Sequence, residues 1–436
     1  MKIGLQTWGS EGDVHPFTAL AAGLTRAGHE VTLLVTDNVG RDYSGLAHRF
    51  GYNLIAVPNP DSPPPERVEE VWREIIRVGN PIRQAELVMR YGFDPAMEAM
   101  FSAAKDLCAT NDAVVGHFFV FPLRVAAEMA EVPMATVNVV HNCLPSSQIC
   151  PPGLPNLGRW SYPLGWTLVR KMVNRILLPR VNALREREGL HPDSDVMTQT
   201  WASERLNLVA VSPSICKAPS DWGTRHQVCG FLSPPADLLE EELPEGLEEF
   251  LAAGEPPVYF TFGSMMLHNL DYIREAIAIW SATVRRVGCR AVFQLPWEDL
   301  PVFETDEGVF KVSRSPYRKV FPRCSLVVHH GGSGTTQSSL LAGCPSVVVA
   351  HMADQFFWGS ELERLGVAGP TQKRRGLSSR RLANSIAQVL ACPDKAKRAS
   401  VLGAAMSKEN GVELAVSLIE AGLGQPLHHK KNGEDQ

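Results

Sequence analysis

Leu326 to Gln355 reads LVVHHGGSGTTQSSLLAGCPSVVVAHMADQ, and its reading decides the fold class. An apolar run ends in His329-His330, and Gly331-Gly332-Ser333-Gly334 leads from it into a helix. Ser346–Ala350 forms a second apolar run that delivers Asp354-Gln355. Short, wholly apolar strands alternating with helices imply βα units and a parallel sheet buried on both faces. Glycines let the backbone turn tightly and approach a ligand. The helix start leaves amides without partners, with positive dipole character. Ser333, Thr335 and Thr336 add hydroxyls, and His330 can donate one more bond. A diphosphate satisfies such a set. A carboxylate beside an amide, as in Asp354-Gln355, suits vicinal sugar hydroxyls.

Working outward, this stretch belongs to a unit that starts at Pro257–Phe262, PVYFTF, followed by Gly263-Ser264. An earlier unit opens in the same way. Residues 1–8 read as a buried strand, then GSEGD, then a helix with apolar Phe17, Leu20, Ala21 and Leu24. Two α/β units are therefore expected: residues 1–215, and 256–422 after a Pro- and acid-rich linker at 216–255. A polar, disordered tail is expected over 423–436. Ligands bind where the C-terminal edges of two such sheets face each other. Pro58–Pro95 breaks the pattern and reads as an inserted amphipathic lid, and Ser147–Gly165 as a loop near the cleft.

Composition narrows the function. The 436 residues carry a formal net charge of -5, with 44% hydrophobic and 20% charged residues. No basic block stands out, so a nucleic-acid partner is not expected. Nine cysteines with no CxxC pair argue against disulfides or zinc and for a reducing cytoplasm. MKIGLQTWGSEGD lacks the apolar stretch of a signal peptide. No apolar run reaches the roughly 20 residues that span a bilayer, which leaves contact with a membrane surface open.

HHGGSGTT followed by AGCPSVVVAHMADQ resembles the donor-binding signature of the nucleotide-diphosphate-sugar glycosyltransferases. That family includes plant UDP-glycosyltransferases, sterol glucosyltransferases, and bacterial antibiotic and rhamnolipid glycosyltransferases. GSEGDVHPFTALAAGLTRAGHEV resembles its acceptor-side motif, and YFTFGSM the loop opening its second domain. One Gly-rich loop is weak evidence, whereas three motifs in order are not. The resemblance implies two Rossmann-like doubly wound α/β domains facing across a cleft, the GT-B arrangement. It also implies metal-independent, inverting transfer of a hexose from a nucleotide diphosphate to a small lipophilic hydroxyl, glucose from UDP-glucose first. A dTDP-deoxysugar transferase, an epimerase of the same architecture and a non-catalytic accessory homologue are the alternatives.

Residue by residue, the resemblance assigns the diphosphate to Ser264, His330, Gly332, Ser333, Gly334 and Thr335, and the sugar to Asp354 and Gln355. Arg314, Ser315 and Tyr317 mark the nucleobase region, where plant members place a tryptophan. Those members also place a glutamate near Ser338 for the ribose; its absence weakens the inference to uracil. Asp13 occupies the position of the general base, with His15 as the runner-up and His117 as a group that tunes Asp13. The plainer role for Asp13 is to cap the helix that follows it. Trp8, Trp72, Phe118, Phe119 and His141 are candidate acceptor contacts, although such aromatics more often pack in a core or lid. No metal is expected.

Overall fold

The computed structural model describes residues 1–37, 40–60, 64–78, 80–154, 156–233, 242–263, 270–295, 307–352 and 354–424. The first unit runs β1 (Lys2–Gly9), α1 (Glu11–Arg26), β2 (Glu30–Asp37), α2 (Ser44–Phe50) and β3 (Asn53–Ala56). It continues through α3 (Pro65–Arg77), α4 (Pro81–Val88), α5 (Met97–Thr110), β4 (Ala113–His117), α6 (Phe121–Met129) and β5 (Met134–Asn138). The long α7 (Tyr162–Arg187), β6 (Leu206–Val209) and β7 (His226–Val228) complete it. The strands form one parallel sheet ordered β3-β2-β1-β4-β5-β6-β7.

The second unit runs α8 (Leu247–Ala252), β8 (Val258–Phe260), α9 (Leu270–Val287), β9 (Ala291–Gln294), β10 (Val309–Val312) and α10 (Tyr317–Val320). After these come β11 (Leu326–His329), α11 (Ser333–Leu341), β12 (Ser346–Ala350), α12 (Asp354–Arg364), β13 (Gln372–Lys373), α13 (Ser379–Leu390) and α14 (Pro393–Met406). Its parallel sheet is ordered β10-β9-β8-β11-β12-β13. Both orders reverse direction beside the first strand of the unit, and that switch point is where α/β sheets bind ligands.

Alternation along the strands explains why these runs are apolar throughout. Val258 and Phe260 face α9 and α13, while Tyr259 faces the opposite cluster with Val327 and Phe321. Successive strand residues point to opposite faces, so a sheet covered on both sides needs apolar residues at every position.

Two segments depart from the sequence expectation. The stretch expected as a linker supplies a strand to the first sheet, β7, and a helix to the second unit, α8, whose Leu247 and Leu251 are buried there. The last helix, α15 (Gly411–Leu423), sits with the first unit and not with the second. Its Val412, Ala415, Val416, Ile419 and Leu423 pack among Ile3, Val14, Leu20 and Leu206. Burial of each large side chain is worth roughly 1.5–3 kcal/mol, so α15 ties the end of the second unit to the first. Residues 234–241 of the expected linker and 425–436 of the expected tail lie outside the described residues. Among the described residues no helix is long and apolar enough to cross a membrane.

Candidate active site

The two sheets face each other across a cleft of about 1270 Å³. Its floor on the first side is the turn from β1 into α1. Ser10 caps α1, and the pair Ser10–Asp13 forms a reciprocal capping box. Asp13 Oδ2 accepts from the Ser10 amide at 2.9 Å. Gly9 makes this fold-back feasible: its φ is +138°, and a Cβ there would stand 2.3 Å from Asp13 Oδ2. The other oxygen, Oδ1, stands 3.5 Å from His117 Nε2 at the end of β4. The Phe119 amide donates to His117 Nδ1 at 3.4 Å, which leaves Nε2 as the ring nitrogen that faces Asp13. His15 lines the cleft one turn on, its Nε2 3.7 Å from Glu11.

On the opposite side β11 ends at the uncapped N-terminus of α11. The first amides of the helix have no intrahelical partner. The His330 ring lies between two glycines: a Cβ on Gly332 would meet Nε2 at 2.3 Å, and one on Gly263 would meet Cε1 at 2.7 Å. His330 is 7% exposed, and its Nδ1 has no partner among the described residues. Burial pushes its pKa down to about 4, so the imidazole is neutral. Thr335 lines the cleft beside it. The Ser333 hydroxyl points elsewhere: it donates to the Val139 carbonyl of the first unit at 2.7 Å, leaving its backbone at the helix start. Ser264 lies outside the described residues.

Asp354 and Gln355 start α12 at the same edge, after β12. The Gln355 side chain folds back, with Oε1 accepting from the His351 amide at 2.7 Å and the Met352 amide at 3.2 Å. The Asp354 carboxyl is pushed up to about 7, first by desolvation and then by the charge of Asp13 across the cleft. Gly334, Arg314, Ser315 and Tyr317 also line the cleft. Tyr317 stacks on Phe321 with ring centroids 4.2 Å apart, and its hydroxyl donates to Gln294 at 2.9 Å. Ser315 Oγ pairs with the Tyr259 hydroxyl at 2.7 Å.

The apolar wall comes from the inserted segment. Val71, Trp72 and Ile75 of α3, Leu87 and Val88 of α4, and Trp8 line the cleft. The other aromatic candidates lie behind it. Phe119 stacks on Trp8 at 5.8 Å, and Phe118 packs edge-on against Trp201 at 5.0 Å. His141 is buried between the units against Phe357, with Nε2 3.7 Å from Glu361. None of the three is among the cleft-lining residues. The Ser147–Gly165 loop contributes no lining residue either. The Pro- and aromatic-rich character read there as a loop near the cleft reflects Tyr162 packing in the core and Trp160 on the surface.

Sequence reasoning passed over the contacts that join the two sides. Arg314 Nη2 donates to Glu11 at 3.0 Å, and Arg41 pairs with the same carboxylate. Gln337, 1% exposed, donates to the Ala210 carbonyl at 3.1 Å and accepts from the Ser212 amide at 2.9 Å. The one local signal for Gln337 is its place four residues after Ser333, on the same face of α11.

Residues 3–136 match the glycosyltransferase family 28 N-terminal domain, and residues 286–420 match the C-terminal domain of erythromycin biosynthesis protein CIII-like proteins. O-mycaminosyltylonolide 6-deoxyallosyltransferase of Streptomyces fradiae is 31% identical, over 96% of this chain and 97% of that protein. The chain is a glycosyltransferase of the GT-B family. A sterol 3-beta-glucosyltransferase of Arabidopsis thaliana is 28% identical over 100% of this chain and 71% of its own length. The glycosyltransferase of kitacinnamycin superposes with a TM-score of 0.69 at 19% identity, covering 97% of this chain and 99% of that one. VinC, solved with dTDP, gives 0.65 at 19% identity over 98% and 100%. In this glycosyltransferase the two matched regions supply the two walls of the cleft, Asp13 from the first and His330, Asp354 and Gln355 from the second.

Proposed function

We propose that this glycosyltransferase moves a hexose, with inversion, from a nucleotide diphosphate to a hydroxyl of a small lipophilic acceptor. The carrying observation is the convergence of Asp13, His330 and Asp354 on one cleft with an apolar wall. The acceptor enters against Trp8, Trp72 and Ile75. Asp13 takes the acceptor proton as the oxygen attacks the anomeric carbon, and His117 holds the carboxylate in place. The bond from that carbon to the diphosphate breaks on the opposite face, so the anomeric configuration inverts. Negative charge grows on the leaving diphosphate, where the α11 amides, Gly334, Thr335 and the His330 imidazole receive it. Asp354 and Gln355 hold the sugar hydroxyls. Arg314, Ser315 and Tyr317 border the base.

This arrangement needs no divalent cation, because the helix N-terminus supplies the positive potential. Activity that EDTA abolishes and magnesium or manganese restores contradicts it. We take glucose carried on UDP as the donor, on the Asp-Gln pair. The second donor reading, a deoxysugar on dTDP, draws on the name of the Streptomyces fradiae relative. Turnover of an acceptor panel of sterols, phenols and polyketides with UDP-glucose, UDP-galactose and dTDP-rhamnose in competition decides between them. Preference for UDP-glucose supports the first reading, and preference for dTDP-rhamnose reverses it.

A further inference from the structure

Val132 to Arg185 contains no aspartate or glutamate, yet it holds Arg159, Arg170, Lys171, Arg175, Arg180 and Arg185. Within it lie some of the most exposed large apolar side chains of the chain. Trp160 is 79% exposed, Leu164 74%, Leu157 60% and Leu168 49%. They do not scatter. Leu164, Leu168, Lys171 and Arg175 follow one another at four-, three- and four-residue steps along α7, which places them on one helix face. Trp160 precedes the helix on the same line, its ring close over Gly158. The opposite face of α7 carries Trp166, Val169, Ile176, Leu177 and Val181 into the core. The outward face is therefore apolar at its N-terminal end and cationic beyond it.

The cations differ in how they are used. Arg170 pairs with Asp195, Arg180 with Asp94 and Arg185 with Glu128. Lys171 and Arg175 are exposed, with no acidic partner among the described residues. We propose that this face of α7 docks the glycosyltransferase on the surface of an anionic lipid bilayer. A tryptophan and leucines entering the headgroup boundary, with lysine and arginine beside them, is the composition such surfaces bind. The charge is local, set against a net charge of -5 for the whole chain, so the patch selects an anionic partner rather than reflecting a basic protein. A second copy of the chain fits less well. A two-fold interface over this face brings Lys171 and Arg175 of both copies together, with no carboxylate in the segment to offset them. α7 also packs against α4, whose Leu87 and Val88 line the cleft. Docking thus brings the apolar wall near the phase in which a lipophilic acceptor dissolves. That last link rests on the function proposed above; the docking does not.

The test is flotation of the full chain with vesicles of phosphatidylcholine alone or of equimolar phosphatidylcholine and phosphatidylglycerol. The protein should float with the mixed vesicles and much less with phosphatidylcholine, and added salt should weaken the association. Trp160→Ser with Leu164→Ser should reduce flotation by about tenfold or more. Lys171→Glu with Arg175→Glu should erase the preference for the anionic vesicles. Both variants change exposed side chains, and turnover of a water-soluble acceptor should stay at the parent level. Absence of flotation overturns the proposal, as does flotation that neither variant alters. A dimer in gel filtration that Trp160→Ser dissolves assigns the face to a second copy and overturns it as well. Flotation needs no sugar transfer, so failure here and failure of the proposed reaction are told apart.

Discussion

Asp13 Oδ1 lies 3.5 Å from His117 Nε2, while Oδ2 of the same carboxylate caps α1 through Ser10. One group thus serves the helix and faces the cleft, and the two uses occupy different oxygens. In the proposed mechanism His117 orients Asp13 and never touches the reacting atoms. His117→Gln keeps a donor at that place without the ring. Its kcat should fall, by less than a lost base costs, with donor KM unchanged. His15→Gln should cost less still, since His15 faces Glu11. A pH–rate profile of His117→Gln superimposable on that of the parent argues against the pairing.

His330 is neutral, buried and unpartnered at Nδ1 among the described residues. A hydrogen bond from it to a charged phosphate is worth roughly 1.5–3 kcal/mol. His330→Ala should therefore lower kcat/KM for the donor by about one to two orders of magnitude, with little change in Tm. A donor titration that matches the parent in a folded variant removes the diphosphate role.

Ser333 and Gln337 fasten α11 to the first unit through Val139, Ala210 and Ser212. Gln337→Ala leaves a buried carbonyl and a buried amide without partners, which costs roughly 1–3 kcal/mol for each unsatisfied group. Thermal melts should show that loss. Ser333→Ala should lower Tm slightly and keep donor KM within about threefold, since the loss of one neutral side-chain bond is small and the backbone remains. A large rise in donor KM for Ser333→Ala places its hydroxyl on the donor instead.

The Asp354 carboxyl titrates near 7 in the fold and near 3.8 when free. Between those values the folded chain holds a proton that the unfolded chain releases. Its contribution to stability is therefore complete below about pH 4 and is lost as pH rises through about 7. Over that window the Tm of the parent should fall relative to that of Asp354→Asn. Asp13→Asn should narrow the difference, because the Asp13 charge is the second cause of the shift. Parallel curves for parent and Asp354→Asn contradict this.

The central strands of both sheets were legible because strands buried on two faces leave unbroken apolar runs, as in PVYFTF and SVVVA. β7 was not, since HQV carries no such pattern. α15 has a clear apolar stripe, but a stripe does not say which unit it covers. The glycine-rich turn and Asp354-Gln355 were legible for a local reason, that turn and helix start are set by adjacent residues. Glu11 with Arg314 was not, because the partners stand 303 positions apart and neither has a local signature. Phe118 and Phe119 follow a strand that ends at the cleft, yet their rings turn inward to Trp201 and Trp8.

The most direct test of the account is turnover of Asp13→Asn. Asparagine keeps a side-chain oxygen for the Ser10 amide and so preserves the cap, but it cannot take the acceptor proton. Acceptor glycosylation should fall by roughly 10²–10⁴-fold, with Tm and donor KM near those of the parent. Asp13→Ala should add a loss of stability of about 1 kcal/mol from the missing cap. Turnover of folded Asp13→Asn close to that of the parent reduces Asp13 to a helix cap and contradicts its role as base.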